Sequence, residues 1–98
     1  MENHQLINNR QKSRYEYHIG ELRPHVEYRI KDNVIAITHT RIPSEIQGEG
    51  IGSALVKDCL DDIASQGMEV IPLCGFVASY INKHPQYKKL VAEGIAIG

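Results

Sequence analysis

Ninety-eight residues, a formal charge of −1 and an apolar content of 42% describe one small folded domain. That balance excludes a disordered chain, and it argues against non-specific nucleic-acid binding, which needs a clustered basic surface. No apolar run approaches the roughly 20 residues of a bilayer span, and the polar stretch Met1 to Ser13 lacks the apolar centre of a secretory signal, so a cytoplasmic protein with no membrane partner is expected.

Met1 to Ser13 is rich in Asn, Gln and Lys without a period, which predicts a flexible N-terminal segment ahead of a single domain over 14–93. From Arg14 to Ile19 apolar and polar residues alternate, the period of a half-buried strand, and Gly20 ends it. A second strand is expected from His25 to Ile30, with Val26, Tyr28 and Ile30 facing one side. Asp32-Asn33 is turn chemistry, and the largely β-branched run Val34 to Thr40 reads as a third strand. Such short connections predict an antiparallel meander.

After the irregular segment Arg41 to Glu49 the period changes. Leu55, Val56, Cys59, Leu60 and Ile63 recur at helical spacing, opposite Lys57, Asp58, Asp61 and Asp62, which predicts a helix from Gly50 to a cap at Gly67. Glu69 to Leu73 reads as a fourth strand, and Gly75 to Lys83 as a second helix. Pro85 interrupts, and one or two further turns follow over Gln86 to Glu93. The expected fold class is α+β: a mixed, largely antiparallel sheet with helices packed on it. Cys59 and Cys74 make neither a disulfide framework nor a zinc set, so no metal is expected.

Gln47-Gly48-Glu49-Gly50-Ile51-Gly52-Ser53 stands where the long helix begins. The first turn of a helix carries backbone N–H groups without internal partners, under the positive end of the helix dipole. A phosphate can accept several of them, and glycines let the backbone approach it closely. Ser53 adds a hydroxyl. The plain alternative is a glycine-rich turn that only caps a helix. Without Gly-Lys-Ser/Thr this is no Walker-type loop, and three preceding strands in a meander do not match a dinucleotide-binding βαβ unit.

Gln47-x-x-Gly50-x-Gly52 resembles the Gln/Arg-x-x-Gly-x-Gly/Ala signature of the GCN5-related N-acetyltransferases. Tyr28-Arg29, His39-Thr40-x-Ile42-Pro43, Pro72-x-Cys74-x-Phe76-Val77-Ala78-x-Tyr80-Ile81 and His84-Pro85-x-Tyr87 are similar to the short Yjdj-type branch of that superfamily, over about Arg14 to Val91.

The resemblance implies acetyl-coenzyme A as co-substrate, with its pantetheine lying between splayed strands. These would be Val34 to Ile42 and Glu69 to Leu73. Pantetheine is then expected along Thr40, Arg41 and Ile42, and pyrophosphate over Gly48, Glu49, Gly50, Ile51, Gly52 and Ser53, with Gln47 at the first signature position. The thioester would end near Cys74, Phe76 and Tyr80, with Lys83 and His84 toward the adenosine.

Acetyl transfer to an amine needs a base, donors for the oxyanion and an acid for the leaving thiolate. His39 is the base candidate, placed on the strand face of Ile35 and Ile37; a hydrogen-bonded structural histidine is the alternative. Cys74 is either an acyl-accepting nucleophile or an inert buried thiol. Tyr80 is either the acid or ordinary aromatic packing. The chain has no residues to spare for the extra helices and strands of longer members. Its acceptor groove is expected to be shallow, completed by another subunit of a weak oligomer, or absent. The competing reading is a non-catalytic acyl-coenzyme A binder or a protein-interaction module.

Overall fold

The computed structural model describes residues 4–95. Five strands form one sheet in the order β1 (Ile7–Asn9), β2 (Arg14–Glu16), β3 (His25–Lys31), β4 (Val34–Arg41), β5 (Glu69–Pro72). The first four pair antiparallel, and β5 joins β4 in parallel after the crossover through α1 (Ile51–Ser65). Helix α2 (Gly75–Lys83) follows β5, and a short 3₁₀ stretch, Pro85–Leu90, returns the chain toward the sheet. There Val91 bridges to Val70, and the Ala92 amide donates to the Val70 carbonyl at 2.9 Å, covering part of the outer edge of β5. The expected α+β class and mixed sheet are what the structure has.

The expectation of a flexible 1–13 differs from the structure over its described part. Ile7–Asn9 is a strand, joined to β2 through Ile7↔Glu16 and Asn9↔Arg14. Asn8 and Asn9 are weak strand formers by composition, but each has a specific acceptor or donor. The Asn8 side-chain oxygen accepts from the Tyr28 hydroxyl at 2.5 Å, and the Asn9 amide donates to Glu16 at 3.2 Å. Residues 1–3 lie outside the described residues.

Both helices pack on one face of the sheet. Leu55, Val56, Cys59, Leu60 and Ile63 of α1, with Val77, Tyr80 and Ile81 of α2, meet Tyr15, Val26, Tyr28, Ile35, Ile37 and Val70 in a single core. The acidic side of α1 is not left to solvent. Tyr15 donates to Asp62 at 2.6 Å, Tyr17 to Asp58 at 2.5 Å, and Tyr87 to Asp61 at 2.7 Å. Burial, then the hydrogen bond to a carboxylate, raises all three phenols above their ordinary range, Tyr87 to about 12, so they stay protonated as donors. The clamps fix the rotation of α1 about its axis, because Asp58 and Asp62 grip tyrosines two residues apart on or beside β2.

The β3–β4 ladder slips once. Tyr28 pairs with Ile37, but Glu27 pairs with His39, so β4 carries an extra residue at Thr38. The Thr38 hydroxyl donates to the Glu27 carbonyl at 3.3 Å. A bulge re-aims every side chain beyond it. Thr40, opposite the buried Val26, therefore points to the helix side. His39 and Arg41 turn to the open face instead. The expectation that His39 continues the Ile35 and Ile37 face is corrected by this bulge.

Candidate functional site

The ladder between β4 and β5 stops at Ile37↔Pro72, with the Cys74 amide adding one bond to the Ile37 carbonyl at 3.0 Å. Strand β4 runs on to Arg41, paired only on its β3 side. Strand β5 ends at the Ile37↔Pro72 pair, so β4 outruns it at the C-terminal end of the parallel pair, where open α/β sheets place ligands. A cavity of about 410 Å³ lies beside this overhanging end, lined by Thr40, Ile42, Ile46, Gln47, Gly48, Gly50, Ile51, Gly52, Ser53 and Phe76.

The loop's geometry makes one wall of that cavity a donor surface. Gly50, the N-cap residue of α1, sits at φ +81°, and Gly48 has the same φ, a region that L side chains rarely adopt. The first helical bond is the Ala54 amide to the Gly50 carbonyl at 3.1 Å. The amides of Ile51, Gly52 and Ser53 precede it, so α1 supplies them no carbonyl partner. No side chain caps this end. Gln47 donates its side-chain amide to the Ile42 carbonyl at 3.0 Å, tying the loop to the end of β4. Gly52 is a close approach: a methyl there would lie 3.0 Å from Phe76 Cζ and 3.6 Å from Ile42 Cγ1. An anion can be cradled here, with the apolar walls of Ile42, Ile46 and Phe76 beside it.

Cys74 is the N-cap residue of α2, half-buried, with Sγ 3.5 Å from the Thr40 hydroxyl. Burial alone would push the thiol up. The Thr40 hydroxyl and backbone hydrogen bonds from Val77, Phe76 and Thr40 outweigh it, and the group titrates below its ordinary value. Cys59, in the core, is driven well up by burial and is inert. The bulge at Thr38 is what brings Thr40 to the thiol.

A family model for GCN5-related N-acetyl-transferase matches residues 14–90, nearly all of the patterned chain. The chain belongs to this acetyltransferase family. The fold of this GCN5-related chain is similar to the solution structure of a GCN5-like protein from Staphylococcus aureus, with a TM-score of 0.69. The match covers 94% of this chain and 91% of that one at 23% identity, a likeness that speaks to the fold.

In this acetyltransferase-family chain the residues singled out from sequence fall into four places. Thr40, Ile42, Gln47, Gly48, Gly50, Ile51, Gly52, Ser53 and Phe76 meet around the cavity, with Cys74 just below through Thr40. Glu49 faces a neighbouring hollow of about 300 Å³ shared with His4, Ile19 and Ala54. His39 and Arg41 lie on the open face, both against Glu27, at 3.5 and 3.0 Å. Tyr80 is buried on α2, its ring stacked on His84 at 4.0 Å, and Lys57, Asp61 and Asp58 of α1 act on it electrostatically. His84 turns Nδ1 to the Tyr80 carbonyl at 2.9 Å, and Lys83 is exposed at the end of α2 away from Cys74.

Ile46 is a lining residue that sequence reading missed. Its only signal is an isolated apolar residue in an otherwise polar, irregular segment. Among the described residues no metal-ligating cluster occurs, and no helix is long and apolar enough to cross a membrane.

Replacing Thr40 with valine removes the hydroxyl beside Cys74 at nearly constant volume. The variant is expected to react several-fold more slowly with iodoacetamide at pH 7.5, because the thiolate fraction falls. An unchanged alkylation rate, read by intact mass, means the hydroxyl does not act on the thiol.

Proposed function

We propose that this protein moves an acetyl group from acetyl-coenzyme A to an amine. The observation that carries the reading is the cavity itself: helix amides without internal partners on one wall and the unpaired edge of β4 on the other. The Ile51, Gly52 and Ser53 amides, with the Ser53 hydroxyl, bind the pyrophosphate, and Gly48 and Gly50 keep side chains out of its way. The stretch Thr40, Arg41 and Ile42, beyond the last β5 pair, offers main-chain groups to the amides of pantetheine in the manner of an added strand, the Ile42 carbonyl keeping a second lone pair beside its bond from Gln47. Bound in that line, the thioester lies close to Cys74 and Phe76.

His39 then serves as the base for the incoming amine from the open face of the sheet. Tyr80 is the acid candidate from the family likeness, and its burial raises its pKa so that it carries a proton at neutral pH. Cys74, with its lowered pKa, is the candidate for a transient acetyl-thioester. Two exchanges complete the transfer. The Cys74 Sγ–acetyl bond forms as the coenzyme sulfur–acetyl bond breaks, and the coenzyme leaves as its thiol. The amine nitrogen–acetyl bond then forms as the Sγ–acetyl bond breaks; the amine's proton goes to His39 and the Cys74 sulfur is released. The family likeness supports the roles of Cys74 and Tyr80, and the imidazole chemistry of His39 supports its role. A cytoplasmic location fits the use of a cytoplasmic thioester.

The test is a mass balance. Purified protein is incubated with acetyl-coenzyme A and a panel of amines, including polyamines and lysine peptides, and free thiol and acetylated products are followed together. Stoichiometric thiol release with an acetylated amine supports the reading. A saturable calorimetric signal for acetyl-coenzyme A with no thiol release across the panel overturns it in favour of a non-catalytic binder.

A further inference from the structure

The open face of the sheet carries a charged network that lines no part of the cavity. Glu27 on β3 sits at its centre. One carboxylate oxygen, Oε2, takes His25 Nε2 at 3.0 Å and Arg41 Nε at 3.0 Å. The other, Oε1, faces His39 Nδ1 at 3.5 Å. The other His25 nitrogen, Nδ1, faces the Arg23 carbonyl at 2.9 Å, so the ring donates to both acceptors only as imidazolium. Arg41 fixes the carboxylate in either form of His25, and its second oxygen is left for one imidazole.

We propose that Glu27 is the positioning residue for His39, holding the ring by Nδ1 so that Nε2 faces the open side of the sheet as the proton acceptor. This rests on the acetyltransferase reading. Free imidazole prefers its proton on Nε2, which would leave Nδ1 as the acceptor, turned into the strand and away from an incoming amine. A carboxylate at Nδ1 reverses that preference. The backbone serves the same end. The bulge that turns His39 out of the core is pinned by Thr38 on the carbonyl of the same Glu27. One residue thus sets the face with its main chain and the ring nitrogen with its side chain.

At 3.5 Å the contact is within ion-pair reach and is not yet a hydrogen bond; catalytic contacts are commonly loose before substrate is bound. The His39 side chain is 56% exposed, on the face of the sheet that the helices leave open. The charged groups around the pair are Arg41 on β4, His25 beside Glu27 on β3, and Arg14 and Glu16 on β2. Glu16 is already occupied by Arg14, His18 and Asn9 and does not compete for His39. The bond from His25, then that from Arg41, against some desolvation, lowers the pKa of Glu27 and keeps it ionised at neutral pH.

The experiment uses two readouts on the full chain. Long-range ¹⁵N NMR reports which nitrogen of neutral His39 carries the proton, in wild type, Glu27→Gln, Glu27→Asp and Glu27→Leu. Wild type is expected as the Nδ1–H form, and Glu27→Leu as mostly the Nε2–H form. With acetyl-coenzyme A and a turned-over amine, Glu27→Leu should lose roughly 10- to 100-fold in kcat, the range seen when a carboxylate that orients a working histidine is removed. KM for acetyl-coenzyme A should stay within about twofold, and Glu27→Asp should recover part of the loss. Glu27→Gln keeps the shape and separates charge from folding.

An Nε2–H ring in wild type, or an unchanged tautomer in Glu27→Leu, overturns the proposal. So does a kcat that Glu27→Leu leaves intact while His39→Ala removes it. Turnover failing in wild type while the tautomer shift is present overturns the acetyltransferase reading, and the proposal's catalytic content with it.

Discussion

Gly50→Asp is expected to weaken coenzyme A binding by at least ~100-fold, close to 2.8 kcal/mol, while the sheet and α1 stay folded. Gly50 holds φ +81° at the tip of α1, where any side chain costs on the order of 1 kcal/mol. The open space around its Cα means that this strain, and not a clash, is the structural cost. The larger effect is electrostatic. A carboxylate here replaces a cradle of amides with a negative charge beside a negative ligand. At an effective dielectric near 20, two unit charges about 4 Å apart repel by about 4 kcal/mol.

Gly50→Ala carries the strain without the charge. It should lose several degrees in Tm but only a modest fraction of the affinity. Calorimetry with coenzyme A and far-UV melting separate the two. Retention of affinity within threefold by the aspartate variant would falsify the assignment of the anion to this helix mouth.

The second large effect concerns acid. Glu16 is only 5% exposed at its side chain, yet it is satisfied. It takes His18 Nε2 at 2.5 Å, Arg14 Nε at 2.6 Å and the Asn9 amide at 3.2 Å. Burial alone would raise its pKa. The bonds from His18, Arg14 and Asn9 and the charge of Arg14 outweigh burial and bring it to about 2, against 4.5 for the free group. A carboxyl lowered on folding contributes stability that is fully present above pH 4.5 and is lost as pH falls toward 2. The shift corresponds to on the order of 3 kcal/mol, of which about 2 should be gone by pH 3.

Urea unfolding at pH 6 and pH 3 reads this directly. Glu16→Gln should be the less stable protein at pH 6 and should lose less than wild type on acidification. Glu27 and Asp61 are lowered too and act with the same sign, so the variant keeps a residual acid dependence. Equal losses in the two proteins exclude Glu16 as the main source.

The fold was legible wherever a period ran long enough. The stripe Leu55, Val56, Cys59, Leu60 and Ile63 marked α1, and Gly50 and Gly67 bracketed it within two residues of its ends, Ile51 and Ser65. The cradle was legible because glycines at a helix start have few physical uses. Other features were not, because they depend on partners distant in sequence. The bulge at Thr38 lies in a β-branched run that reads as regular alternation. Only the pairing with β3 reveals that His39 leaves the face of Ile37.

The strand Ile7–Asn9 depends on Tyr28 and Glu16 for its bonds, so its polar composition suggested no structure. Asp58, Asp61 and Asp62 looked like a solvated helix face, and became tyrosine acceptors once the sheet supplied the hydroxyls. Glu27 carried no local signal at all, since its neighbours His39 and Arg41 reach it only through the antiparallel register.

Those three phenol–carboxylate clamps bear on how a ligand would meet the chain. They grip α1 along its flank, between Asp58 and Asp62, while Gly52 against Phe76 and Ile42 seats its Gly50 end, like a beam held at mid-span and at its tip. With rotation already arrested, the amides at the tip point the same way before anything arrives. Association then asks little rearrangement of the helix, and more of each contact's energy goes into holding the guest.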